Sequence, residues 1–185
     1  MTNRTLKILY LYNGIFVFGG SLLGPLYAVY VGIIDTSILS VSVTWSAFLI
    51  STFIFTFIIS RLHDGARSAR RMLLTGYIVR AVAWLLFIFA SDLSFLVFLQ
   101  IMLGLGEAVG TPAFDAIFAE HLDAKRHIRE YADWKLIANG VTGVGTLIGG
   151  LIASRFGFDW LFLAMSVLAL VAFSGIWLKP HAFVK

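Results

Sequence analysis

The sequence predicts an all-α membrane protein, six transmembrane helices arranged as two inverted three-helix repeats. Three observations lead there. The composition is too apolar for a surface exposed to water: of 185 residues, 59% are apolar and 13% charged, with a mean hydropathy of +0.91, whereas soluble domains run at about 45–50% and about 25%. The apolar runs are long and continuous, as spanning helices require, and do not alternate like the strands of a membrane barrel. A Gly/Pro pattern recurs once in each half. A soluble enzyme is excluded by the composition. Disorder is excluded by 17 Phe, 6 Tyr and 5 Trp, because disordered chains are poor in aromatics. The absence of cysteine removes disulfides and thiolate metal sites.

The first apolar run covers about residues 8–32. It is too long for the core of a signal peptide and is read as a span, although it holds Asn13 and Pro25. The second covers 39–60 and the third 72–90, with Arg80 inside it. The fourth covers 94–118, the fifth 134–154 and the sixth 160–178, where Pro180 allows the helix to stop. Residues 1–185 are thus one six-helix domain. The charged segment 119–133 mixes both signs at helical spacing and reads as an amphipathic helix lying on the membrane surface. Twelve of the 14 Lys and Arg residues fall on one side of this topology, Arg155 falls on the other, and Arg80 lies within a span. By the excess of Lys and Arg in cytoplasmic loops, both termini are expected in the cytoplasm.

Span 1 contains Gly20, Gly24, Pro25 and Tyr27, and span 4 contains Gly106, Gly110, Pro112 and Phe114. Each reads Gly-x-x-x-Gly, then Pro, then an aromatic two residues on. The two spans run in opposite directions, so the echo suggests an inverted repeat. Interrupted spans at matching positions of such repeats point to a transporter's binding site. In span 4, Gln100, Gly104, Glu107, Thr111 and Asp115 share one helix face. A charge at mid-bilayer costs roughly 2.5–3.5 kcal/mol on insertion scales, so this face meets protein or a water-filled cavity. Asn13, Tyr27, Gln100, Glu107 and Thr111 are the candidate cavity residues. Arg80 and Glu107 lie at similar depth, at about 1.5 Å per residue, and are expected to pair; Glu107 or Asp115 is the candidate proton carrier. In span 5, Gly145 and Gly149 form a third Gly-x-x-x-Gly, and Gly150 belongs to a small-residue stripe. Both are read as helix packing.

Three stretches resemble motifs of the major facilitator superfamily. The loop with Ser60, Asp64, Ala69, Arg70 and Arg71 resembles the family's loop between helices 2 and 3, Gly-x-x-x-Asp-Arg/Lys-x-Gly-Arg/Lys-Arg/Lys, with two residues inserted. The stretch Gln100, Gly104, Gly106, Ala108 resembles the helix 4 motif Arg-x-x-Gln-Gly-x-Gly-x-Ala, with Gln100 in place of Arg. Gly145, Thr146, Gly149 and Gly150 resemble the helix 5 motif Gly-Pro-x-x-Gly-Gly, with Thr146 in place of Pro.

The resemblance implies half of a major facilitator fold, since family members have twelve helices in two six-helix halves. It implies a secondary active transporter of small organic solutes working by alternating access. Two copies about a two-fold axis would rebuild the full architecture, so a C2 homodimer is the expected partner state, with the bilayer, a small-molecule substrate and protons as the other partners. Asp64, Arg70 and Arg71 become a cytoplasmic gate, Asp64 meeting the amino-terminal end of the partner's fifth helix near residues 133–136. The substrate is left between a lipophilic or cationic compound for efflux and a sugar-like polyol. The expected location is a prokaryotic inner (plasma) membrane.

No cofactor, metal or nucleic acid is expected. A CDP-alcohol phosphotransferase does not fit: Asp64-Gly65 and Ala69-Arg70 are one residue too far apart, and Arg80 and Trp84 stand where acids are needed. The remaining alternative is a non-transporting half-fold, either a fragment or a membrane scaffold or receptor.

Overall fold

The structure is a computed structural model that describes residues 4–61, 66–123 and 126–179. Within these, all regular structure is helical: α1 (Arg4–Ser21), α2 (Leu26–Ile34), α3 (Ile38–Ser60), α4 (Ala66–Leu86), α5 (Leu93–Glu120), α6 (His127–Phe156) and α7 (Phe158–Trp177), with a short 3₁₀ turn at Phe87–Phe89 closing α4. Five stretches are long and apolar enough to cross a bilayer, and α1 with α2 makes a sixth, bent by 44°. The first span is therefore not one helix but two.

Local chemistry sets the ends. Ser37 caps α3 by accepting from the Leu39 N–H at 3.2 Å, and Asp92 caps α5 by accepting from Phe95 at 2.9 Å. Gly157 alone separates α6 from α7. Its φ of +89° is a left-handed conformation that glycine adopts without Cβ strain.

The helices pack in the order α3, α5, α4, α7, α1, α6. In spans this is 2, 4, 3, 6, 1, 5. Exchange the two three-helix units (1 with 4, 2 with 5, 3 with 6) and the same order reads backwards. That is the inverted repeat expressed in packing. The main contacts run between the units and few lie within one. At the two ends of the series, α3 and α6 are the barest helices. Only 17% and 11% of their most apolar stretches is buried, against 44% or more in the spans of α4, α5 and α7.

Close approach depends on glycine. A methyl on Gly76 of α4 would come within 2.6 Å of the Gly110 Cα and 2.9 Å of the Gly106 carbonyl oxygen, so α4 and α5 touch backbone to backbone. On the other side of the bundle, a methyl on Gly145 would strike the Ser21 side chain, and one on Gly149 the Leu22 backbone. Gly150 faces open space and stands outside that packing.

Segment 119–133 is not a separate surface helix. The α5 helix runs to Glu120, and α6 already begins at His127, two turns before its apolar stretch. This start is held by buried Glu130, whose Oε2 accepts from the Asp123 N–H at 2.9 Å and whose carbonyl accepts from the Tyr10 hydroxyl at 3.0 Å. Residues 133–136 accordingly lie inside α6 and have no free amino-terminal N–H groups to offer a carboxylate.

Candidate functional site

A cavity of about 240 Å³ opens where the break between α1 and α2 faces α3, α4 and α5. Its polar side is built on glycine. The Arg80 side chain lies across Gly106 and Gly110, where any Cβ would collide with it. Its Nε donates to the Gly76 carbonyl at 3.2 Å, and Nη1 donates to Glu107 Oε2 at 2.6 Å. The guanidinium sits 4.4 Å from the centre of the Phe16 ring, an arrangement favourable to a cation. Thr111 Oγ1, one turn beyond Glu107, donates to Oε1 at 2.6 Å. Both oxygens of the carboxylate are therefore bonded, and the charges cancel. The two partners differ in access: the Arg80 side chain is 10% exposed and that of Glu107 is 31% exposed. The carboxylate is the member that reaches the cavity.

Tyr27 and Gln100 also line this cavity. Both are buried, with 5% and 2% of their surface exposed. The Tyr27 hydroxyl has Thr44 and Gln100 as polar neighbours, yet no described residue closes a hydrogen bond to it. The other walls are aromatic and aliphatic: Phe16 and Trp84 stack at 5.5 Å, and Trp45 lies tilted against both Tyr27 and Phe48. Leu103 and Met165 complete them. Nothing in the sequence singles out these apolar residues. In a chain with 28 aromatic side chains, none differs from a lipid-facing one until its neighbours are placed.

The structure thus brings Tyr27, Arg80, Gln100 and Glu107 to one cavity and sets the other candidates elsewhere. Asn13 does not line the cavity; its Oδ1 accepts from the Tyr77 hydroxyl at 2.6 Å. Thr111 does not line the cavity and acts through Glu107. Asp115 takes no part in the pair and is exposed on α5. Arg70 binds the end of α7, donating to the Ile176 and Trp177 carbonyls at 3.2 and 2.8 Å, while Arg71 is exposed. Asp64 lies outside the described residues. Among those described, no three His, Asp or Glu side chains converge as metal ligands.

Compared with known proteins, residues 9–183 match the family model described as Major Facilitator Superfamily. No curated protein matches the chain.

Proposed function

From its membership of the Major Facilitator Superfamily, whose model covers nearly the whole chain, this protein is a membrane transporter of small solutes; we propose that it is secondary active, coupled to protons, and works as a homodimer by alternating access. The observation that carries the proposal is the Arg80–Glu107 pair. An intramembrane carboxylate is costly, and its presence points to a task. Glu107 reaches the cavity and is held by two donors, one of them on a neighbouring helix, that helix movement can displace. Intramembrane acids are a natural place for proton relays, and displacing either donor frees an oxygen of this one, which would couple the alternation of the cavity to proton movement.

The dimer is supported by polar positions left uncovered on α5 and α6. Asp115, Asn139 and Thr142 are exposed within apolar spans and are poor side chains to leave against lipid. A second copy about a two-fold axis would set α3 of one protomer beside α6 of the other. C2 dimers are also the commonest oligomers. The charge bias supports both termini lying in the cytoplasm, and a prokaryotic inner membrane is the setting this reading implies. The solute is either a lipophilic or cationic compound or a sugar-like polyol.

Native mass spectrometry in mild detergent comes first. A particle at twice the 20.4 kDa chain mass is expected. A strict monomer, also monomeric by cross-linking in lipid, overturns the homodimer and favours a half-fold that needs another partner. Proton-gradient-driven uptake into liposomes is the second assay. Glu107→Gln is expected to abolish accumulation, and full retention rejects the coupling role.

A further inference from the structure

The cavity distinguishes among the solute classes left open above. Resting on the transporter reading, we infer that its ligand is a small, neutral, largely aromatic molecule with one hydrogen-bonding group, which pairs with the Tyr27 hydroxyl and the Gln100 amide.

Charge is the first argument. Arg80 and Glu107 are the two charged residues lining the cavity, and they neutralise each other. Both carboxylate oxygens already accept a hydrogen bond, and the guanidinium is spent on Glu107, Gly76 and the Phe16 face. A charged ligand would enter with no counter-charge and would bear the desolvation cost of an unpaired ion. This disfavours a lipophilic cation.

The second argument is the balance of walls and donors. A polyol needs a partner for every hydroxyl it buries. The cavity offers Phe16, Tyr27, Trp45, Phe48 and Trp84 against two neutral polar groups. Ring faces favour stacked or edge-on aromatic partners. The part of the cavity within one protomer measures about 240 Å³, room for a small aromatic ring system. The third argument is the Tyr27 hydroxyl itself. It is buried and unpartnered among the described residues, a state that is costly until something bonds to it.

The test uses the full chain in lipid nanodiscs with tritiated β-naphthol as probe, empty discs being subtracted. Naphthalene, β-naphthoate and β-naphthylmethylammonium serve as competitors of matching shape. β-Naphthol is expected to bind saturably, about tenfold more tightly than naphthalene, the value of one good hydrogen bond, and more tightly than either ion. Tyr27→Phe is expected to bring β-naphthol down to the naphthalene level while leaving naphthalene itself unchanged, which separates a lost bond from a damaged fold. Gln100→Leu provides the second variant. Equal or better competition by either ion, absence of saturable binding, or β-naphthol affinity unmoved by both variants overturns the assignment. Uptake of β-naphthol into liposomes is measured in parallel. Binding without uptake leaves the ligand class standing and counts against transport; uptake of another solute without β-naphthol binding does the reverse.

Discussion

The first and fourth spans carry the same local pattern, and only one of them breaks. Pro25 ends a helix: α1 stops at Ser21, and α2 starts at Leu26 after a 44° bend. Pro112 lies inside the unbroken 28-residue α5. Proline removes one backbone donor and crowds the carbonyl four residues earlier in both. What differs is the residue before it, which proline pushes away from the helical region. At the first site this is Gly24, which escapes to φ +31°. At the second it is Thr111, a β-branched residue for which positive φ is an outlier, tied one turn back to Glu107. The broken span is steadied from outside, by Gly145 and Gly149 of α6 lying against Ser21 and Leu22. The unbroken one is steadied by a polar chain that starts on its own surface, Thr111 to Glu107, and ends on Arg80 of α4. A proline inside the membrane thus becomes a break or a tolerated fault according to its predecessor and its clamp.

Four sets of substitutions press on that comparison. The largest effect is expected from Arg80→Met, which strands Glu107 and should cost about 3–5 kcal/mol, as for other buried pairs that lose one partner. Arg80→Met with Glu107→Met should recover most of it, read by thermal unfolding in detergent. A harmless single variant would remove the clamp from the account. Gly149→Val should cost about 1–3 kcal/mol by overpacking against the Leu22 backbone. Gly150→Val, facing open space, should stay within about 0.5 kcal/mol; equal losses would show that the contact does not hold the break. Gly24→Ala should cost about 1–2 kcal/mol, the strain of left-handed backbone on an L residue. Apart from the Gly150 control, the smallest change is expected from Pro112→Ala, under about 1 kcal/mol, with the new N–H meeting the Ala108 carbonyl and the helix content by circular dichroism unchanged.

Much of this architecture was legible in advance. Hydropathy located the spans, and the shared depth of Arg80 and Glu107 anticipated their contact. The break was not legible, because the Gly-x-x-x-Gly and Pro pattern is the same at both sites and the decisive residue is the one beside the pattern. The early start of α6 was missed because residues 127–133 are charged, and hydropathy reports the bilayer rather than the helix. Their helical state depends on Glu130 reaching back to Asp123. Helical spacing placed Asn13 on the same stripe as Tyr27. Spacing cannot show that Tyr77, on another span, claims the amide first.

The backwards-reading order of the helices has a consequence for how the protein is made. Because the principal contacts join one three-helix unit to the other, a nascent chain that has released only its first three spans holds little of the packing that will define it. Arg80 enters the bilayer 27 residues before its counter-ion Glu107 is synthesised. The α1 helix waits longest, since its chief neighbours α6 and α7 leave the ribosome last. Assembly of this bundle is therefore a late event in translation, and the insertion machinery must shelter a lone arginine until the fourth span arrives.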